Sequence, residues 1–141
     1  PANHEQMVRT RARKVANVAH DLPPTPVFGP EKGDLLVLGW GSTFGAIRQA
    51  VTDLQHDGRK VAHAHLRWLN PLPSDLGDIL ARYRAVLIPE INMGQLVRII
   101  RAEYMVPAVS YPKIQGRPFK VSELKARCEK ILGGEPLEEV A

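Results

Sequence analysis

The sequence has few of the residues that disulfides, metal clusters and membrane segments require. It contains one cysteine in 141 residues, Cys128, so it can form no internal disulfide and cannot supply the cysteine ligands of an iron–sulfur cluster. A single cysteine is typical of a reducing, cytoplasmic compartment. Its apolar runs are far shorter than the ~20 residues that span a bilayer, and no signal-peptide pattern opens the sequence. We therefore expect no membrane partner.

Familiar catalytic and nucleotide-binding motifs are also missing. The stretch LLVLGWGSTFG has glycines at Gly39, Gly41 and Gly45, a G-x-G-x-x-x-G pattern one residue longer than the dinucleotide fingerprint. There is no P-loop, no HExxH and no nucleophile elbow. His63 and His65 share one face of a predicted strand, but no third ligand is near, so we expect core or interface histidines and no metal site.

The composition is that of a globular domain with a modest excess of positive charge. Hydrophobic residues make up 44% of the chain, charged residues 24%, and the net charge is +4. Such a chain builds a core without disulfides. Much of the excess charge lies in Arg9, Arg11, Arg13 and Lys14. Because no aromatic platform lies beside this run, the sequence favours a solvated face or a seam against protein, and no nucleic-acid partner.

Composition divides the chain into four segments. Asn3 is the expected N-cap of a helix from His4 to about His20, whose thin apolar stripe predicts packing on something outside this chain. Four prolines and two glycines then predict a segment without regular structure. The predicted segments are a basic helix over 1–20, a Pro/Gly-rich linker over 21–33, an α/β domain over 34–134 and an acidic, frayed tail over 135–141.

Strand and helix patterns alternate within the predicted domain. Apolar runs predict strands over 34–39, 59–66, 85–90 and 107–114, the last nearer an edge because of its prolines. Helical periodicity predicts helices over 44–58, 73–83, 93–104 and 121–134. In these helices we expect Phe44 and Ile99 to face inward, and Ser74 and Ser122 to be N-caps. The alternation predicts βαβ units and a mostly parallel sheet covered on both faces.

Candidate functional residues follow the predicted strands, where ligands bind in such sheets. Gly41, Ser42 and Thr43, with Asn92, form a weak candidate anion site, because a helix N-terminus offers unpaired N–H groups. The alternative is a structural corner. Glu90 is either a cap of the next helix or a reader of the cleft. The expected interface residues are Trp40, Trp68, Glu90, Gln95, Arg9 and Arg13.

Four strings, taken in order, resemble a known family. GWGSTFG, HLRWLNPLP, IPEINMGQL and QGRPF are similar to the C-terminal part of the alpha subunit of 2-oxoacid:ferredoxin oxidoreductases, above all the 2-oxoglutarate type. The resemblance runs from about Asn3 to Leu132. It implies a three-layer α/β/α sandwich of the transketolase C-terminal-domain type, in which one edge strand commonly runs antiparallel.

The resemblance also implies a reaction and a division of labour. The family oxidatively decarboxylates a 2-oxoacid to acyl-CoA with ferredoxin as electron acceptor, using thiamine diphosphate, magnesium, an iron–sulfur cluster and coenzyme A. The resemblance assigns these groups to other domains and to the catalytic beta subunit. We therefore expect no catalytic residue and no cofactor in this chain, which would be a cytoplasmic, non-catalytic domain of the alpha subunit. The missing initiator methionine suggests a processed or excised piece.

Two other functions remain open from the residues. The chain can be a stand-alone module that binds a small anion or nucleotide at the carboxyl ends of its strands. It can also be a basic interaction protein that binds RNA or an acidic partner through Arg9 to Lys14.

Overall fold

Five strands and five helices make up the part of the chain that is described. The computed structural model describes residues 2–134, so the acidic tail predicted over 135–141 lies outside the described residues. The strands are β1 Val27–Phe28, β2 Gly33–Trp40, β3 Val61–Leu66, β4 Tyr83–Glu90 and β5 Ala108–Pro112. The helices are α1 Ala2–Asn17, α2 Phe44–His56, α3 Leu76–Leu80, α4 Gln95–Tyr104 and α5 Val121–Leu132.

The strands form one sheet in the order β1-β3-β2-β4-β5. Strand β2 pairs in parallel with β3 on one side and β4 on the other, β4 pairs in parallel with β5, and β1 runs antiparallel to β3. The central position of β2 explains its unbroken apolar run, since residues 35–39 are buried on both faces. Strand β5 lies at an edge, as its prolines predicted.

The sheet separates two apolar layers. On one side, α2 and α5 pack on the sheet through Ile47, Val51, Leu54, Leu124 and Ile131. On the other side, α3 and α4 pack through Leu76, Ile79, Leu96, Val97 and Ile100. These layers form the three-layer α/β/α sandwich with a mostly parallel sheet that the sequence predicted.

Helix α1 contributes nothing to this core. None of its residues is buried, and its apolar side chains Met7, Val8 and Val15 are 41–50% exposed. The helix begins at Ala2, so Asn3 lies inside its first turn and is not the N-cap that we expected. It ends at Asn17 and continues as a 3₁₀ turn over Val18–Asp21.

The segment 21–33 is more ordered than its composition predicted. It contains β1, whose Val27 pairs with Ala64 of β3, so the expected lack of regular structure is wrong there. Both the amide and the hydroxyl of Thr25 donate hydrogen bonds of 2.7 Å to the carboxylate of Asp75. The Tyr83 hydroxyl donates to the Pro30 carbonyl at 2.6 Å. These bonds fasten the segment to the sheet.

Two side chains that we predicted to face inward are about half exposed. Phe44, the first residue of α2, is 45% exposed although its ring lies 5.4 Å from that of His63 and 5.0 Å from that of His65 in β3, and Ile99 is 47% exposed. Helix α4 begins at Gln95, and with that phase Leu96, Val97 and Ile100 face the sheet in place of Ile99.

Two predicted N-caps are also wrong. Helix α3 begins at Leu76, and its N-cap position is Asp75, one residue beyond the predicted cap Ser74. Ser122 lies within the first turn of α5, where the Glu123 carboxylate accepts the amide of Lys120 at 2.9 Å. A carboxylate that reaches back to the start of the helix replaces the serine hydroxyl that we expected.

Candidate functional site

The parallel strands β2, β3 and β4 end at the same edge of the sheet. Three connections leave from there: a 3₁₀ turn Gly41–Thr43 that leads into α2, the loop 67–75, and the turn 91–94 that leads into α4. Every residue predicted for the anion site lies in one of these connections, as does Trp68. The residues that border the connections are Trp40, Glu90 and Gln95.

Glu90 is a buried cap of helix α4. It is 1% exposed, and its carboxylate accepts the amides of Leu96 at 2.9 Å and Val97 at 3.2 Å. These amides belong to the first turn of α4, whose N–H groups have no partner within the helix. The Trp40 indole N–H donates to the same carboxylate at 3.3 Å. Glu90 therefore ties the ends of β2 and β4 to the start of α4.

Asn92 shapes the turn between Glu90 and α4. Its side-chain oxygen accepts the amides of Gly94 at 2.8 Å and Gln95 at 3.2 Å. Gly94 has φ +80°, and a Cβ there would lie 2.8 Å from the Ser110 hydroxyl oxygen, so both conformation and space require glycine. The oxygen of Asn92 is thus occupied within its own turn, while the Gln95 side chain is exposed.

The corner after β2 is held by Thr43. Its buried hydroxyl donates to the Trp40 carbonyl at 2.8 Å and accepts the Trp40 amide at 3.3 Å. Gly41 has φ +60° and Ser42 is exposed. Of the four residues predicted for an anion site, Thr43 and Asn92 use their side-chain oxygens in local hydrogen bonds. Gly41 and Ser42, which follow the end of β2, are exposed to solvent.

A cluster of aromatic and basic side chains lies beside this corner, on the α2 face of the sheet. The Arg48 guanidinium carbon is 3.9 Å from the ring centroid of Phe28 and 5.0 Å from that of Phe44. Its Nε donates to His63 Nδ1 at 3.2 Å. The Phe44 ring lies 5.4 Å from the ring of His63 and 5.0 Å from that of His65.

Both histidines are held neutral. Burial, and then the nearby Arg48 charge, lower the pKa of the fully buried His63 to about 3. Burial also lowers the pKa of His65. Within residues 2–134, no three His, Cys, Asp or Glu side chains are grouped so that they could hold a metal ion.

A cleft of about 620 Å³ opens next to this cluster. Its walls include Gly41 and Phe44 from the corner after β2, His65 at the end of β3, and the arginines Arg48 and Arg67. The sequence analysis did not single out either arginine. The available signal was the spacing of Phe44 and Arg48, which places them on one face of α2.

The remaining predicted residues are spread over the surface. Trp68 is 37% exposed in the loop after β3. Arg9 pairs with Glu5 at 2.6 Å along α1, and Arg13 lies one turn further along the same helix. Cys128 is buried in α5, and burial raises the pKa of its thiol to about 12, which keeps it protonated. No helix among the described residues is long and apolar enough to cross a membrane.

Comparison with known proteins identifies relatives of this architecture. The family model described as pyruvate:ferredoxin oxidoreductase core domain II matches residues 33–124. The 2-oxoglutarate oxidoreductase subunit KorA of Mycobacterium tuberculosis is 41% identical over 135 residues, which cover 95% of this chain and 20% of that protein.

Solved structures agree with these matches. A 2-oxoglutarate:ferredoxin oxidoreductase from Magnetococcus marinus, solved with 2-oxoglutarate, coenzyme A and succinyl-CoA bound, matches with a TM-score of 0.86 and 34% identity, covering 94% of this chain and 24% of that chain. A split-gene transketolase shares the fold at a TM-score of 0.61 and 16% identity, covering 78% of this chain and 42% of that chain. The chain thus spans about a fifth to a quarter of the length of these two oxidoreductase relatives, and it belongs to the pyruvate:ferredoxin oxidoreductase core domain II family.

Proposed function

We propose that this chain is the C-terminal domain of the alpha subunit of a 2-oxoacid:ferredoxin oxidoreductase of the 2-oxoglutarate type. The observation that carries the proposal is the match over 94% of the chain, at a TM-score of 0.86, to a 2-oxoglutarate:ferredoxin oxidoreductase. The 41% identity to a 2-oxoglutarate oxidoreductase subunit supports the same substrate class. The complete enzyme would convert a 2-oxoacid to acyl-CoA and pass the electrons to ferredoxin.

The domain's part in that enzyme is architectural. The polar side chains at the strand ends that sequence analysis marked as candidates are largely committed to the fold. Glu90 caps α4, Asn92 closes a turn and Thr43 locks a corner. Cys128, buried and protonated, is not a thiolate nucleophile. Local roles of this kind support a domain that holds its own shape for neighbours to pack against.

The iron–sulfur cluster of the proposed enzyme does not fit this chain. An iron–sulfur cluster needs several cysteine thiolates, and the sequence has one cysteine, which is buried in the helical layer. The cluster would therefore be bound elsewhere in the enzyme. As the family resemblance implies, thiamine diphosphate, magnesium and coenzyme A would likewise be bound by other domains of the alpha subunit and by the catalytic beta subunit. A cytoplasmic location belongs to the same proposal, supported by the single reduced cysteine.

Helix α1 is the expected contact with the rest of the subunit. Its exposed Met7, Val8 and Val15 form an apolar stripe that the described chain leaves uncovered. A separate domain of the alpha subunit is the proposed occupant, because this chain accounts for only a fifth to a quarter of the length of the two oxidoreductase relatives described above. Trp68, Arg9 and Arg13 are the proposed polar and aromatic contacts around that junction.

The test is the mass of the native polypeptide. An antibody against this domain would capture it from the source cells, and intact mass spectrometry would size it with its partners. Since the matched regions are 20% and 24% of two relatives, we expect a chain about four to five times longer than this one. A smaller, thiamine- and iron-containing subunit should accompany it. A native chain of 15.7 kDa without such a partner would contradict the proposal.

A further inference from the structure

The cleft beside the corner after β2 presents positive charge that the described residues do not neutralise. Arg48 and Arg67 both line it. Within residues 2–134, neither arginine lies within ion-pair distance of a carboxylate, although six other such pairs form there. Among the described residues, the one hydrogen-bond acceptor of the Arg48 side chain is the neutral imidazole of His63.

Arg48 is held in one geometry before any ligand arrives. Its guanidinium lies between the rings of Phe28 and Phe44, and its Nε bond to His63 fixes the orientation of the plane. The two terminal nitrogens of the guanidinium keep their N–H groups for another acceptor. A guanidinium that is immobilised on aromatic faces loses little conformational entropy when it binds an anion, so the arrangement favours recognition of a planar or tetrahedral oxyanion.

Two further polar atoms in the cluster lack partners. His63 Nε2 and His65 Nδ1 are buried, and neither has a hydrogen-bond partner among the described residues. Buried ring nitrogens without partners are rare in folded proteins and call for an explanation such as a ligand or a water. The two histidines contact each other and Phe44, and His63 is the acceptor of Arg48, so the incomplete hydrogen bonding lies in the same side-chain cluster as the arginine that lines the cleft.

We propose that this cleft is an oxyanion site in which Arg48 and Arg67 bind a carboxylate or phosphate group. Phe44 forms an apolar wall, which suits an anion attached to an apolar or planar body. The anion can belong to a small molecule or to an acidic side chain elsewhere in the longer polypeptide or its partner subunit. The proposal goes beyond the architectural function above, which assigns no ligand to this domain. The small-molecule source is independent of that function, whereas the protein source rests on it, so if the chain forms no complex the calorimetry below alone decides the proposal.

Calorimetry on the 141-residue chain tests the small-molecule source. Inorganic phosphate and malonate are the probes, with sodium chloride at matched ionic strength as the reference. Saturable binding should weaken about tenfold in Arg67→Gln, because one charge-assisted hydrogen bond is lost. Arg67 is exposed, so this variant should fold normally. Arg98→Gln removes the same charge from the exposed face of α4 and should leave binding unchanged.

Arginine labelling of the native complex tests the protein source. Phenylglyoxal should modify Arg67 in the 141-residue chain but not in the complex if an acidic side chain fills the cleft. Arg67→Gln should then weaken assembly of the complex. An apolar cover would also block labelling, but assembly of the complex would be unchanged or tighter in the variant, which counts against the proposal.

The proposal is overturned if neither probe binds the chain saturably and the complex either leaves Arg67 reactive or assembles equally well with Arg67→Gln. Binding that is equally weakened by Arg98→Gln would also overturn it, because that result indicates general electrostatic attraction.

Discussion

Acid should destabilise this domain through His63. The imidazole is fully buried, and its pKa falls from 6.5 to about 3 in the fold, first because of burial and then because of the nearby charges of Arg48 and His65. The unfolded chain therefore binds a proton at a higher pH than the folded chain does. Stability due to the neutral imidazole is complete above pH 6.5 and is lost as the pH falls from 6.5 toward 3.

The expected loss follows from the two pKa values. Between pH 7 and pH 4.5, one such histidine lowers the free energy of unfolding by about 2.5 kcal/mol. This figure depends almost wholly on the unfolded-state value, because the folded-state pKa lies well below 4.5. His65, whose pKa is also lowered, adds to the loss in the same direction. A change of this size is a large part of the stability of a small domain.

Urea denaturation at pH 7, 5.5 and 4.5 measures the effect. His63→Asn is the matched control, because its side-chain oxygen lies as far along the side chain as His63 Nδ1, can still accept the Arg48 Nε bond and does not titrate. The variant's loss of stability on acidification should be about 2.5 kcal/mol smaller than that of the parent chain. Equal losses in the two proteins would refute the reasoning, as would an NMR titration in which His63 protonates near pH 6.5 while the chain stays folded.

Three further changes test the packing at the strand ends and in the core, each by its free energy of unfolding in urea. Gly94→Ala should lower the free energy of unfolding by about 1–3 kcal/mol, because Gly94 has a left-handed φ and Ser110 lies close to it. Gly45→Ala is the control: Gly45 is an exposed helical position with open space around it, so this change should be neutral or stabilising. Similar losses of stability in the two variants would contradict the argument. Glu90→Gln should lower the free energy of unfolding by about 1–3 kcal/mol, because the amide group replaces one oxygen of a buried carboxylate that accepts three N–H groups. An unchanged stability would mean that this helix cap is dispensable. Leu54→Ala should cost about 2–5 kcal/mol, because Leu54 is fully buried between α2 and the sheet, and a loss below 1 kcal/mol would contradict that packing.

The elements with their own periodicity were predictable from the sequence. The apolar run in β2 indicated a strand buried on both faces, and the alternation of strands with amphipathic helices indicated a parallel sheet covered on both sides. The tight turn after β2 was also predictable, because glycines in that stretch allow a positive φ, and Gly41 has one. In each case the signal lies within one short stretch of sequence.

The site depended on contacts between distant stretches. Asp75 binds Thr25 across 50 positions, and Trp40 binds Glu90 across the same separation. Nothing in the local pattern around either residue identifies its partner. Glu90 was predicted as either a cap or a reader of the cleft, and only the start of α4 at Gln95 made it a cap.

The sequence by itself determined the order and type of the main elements, the absence of cysteine-ligated chemistry in this chain and the family to which it belongs. The tertiary structure alone decided that Val27–Phe28 adds an antiparallel edge strand, and that Arg48 lies between Phe28 and Phe44 with His63 as its acceptor. The physical reason is that hydrophobic periodicity is a property of residues close together in the sequence. Edge pairing and the environment of a charge depend on which distant backbone and rings the fold brings within a few ångströms.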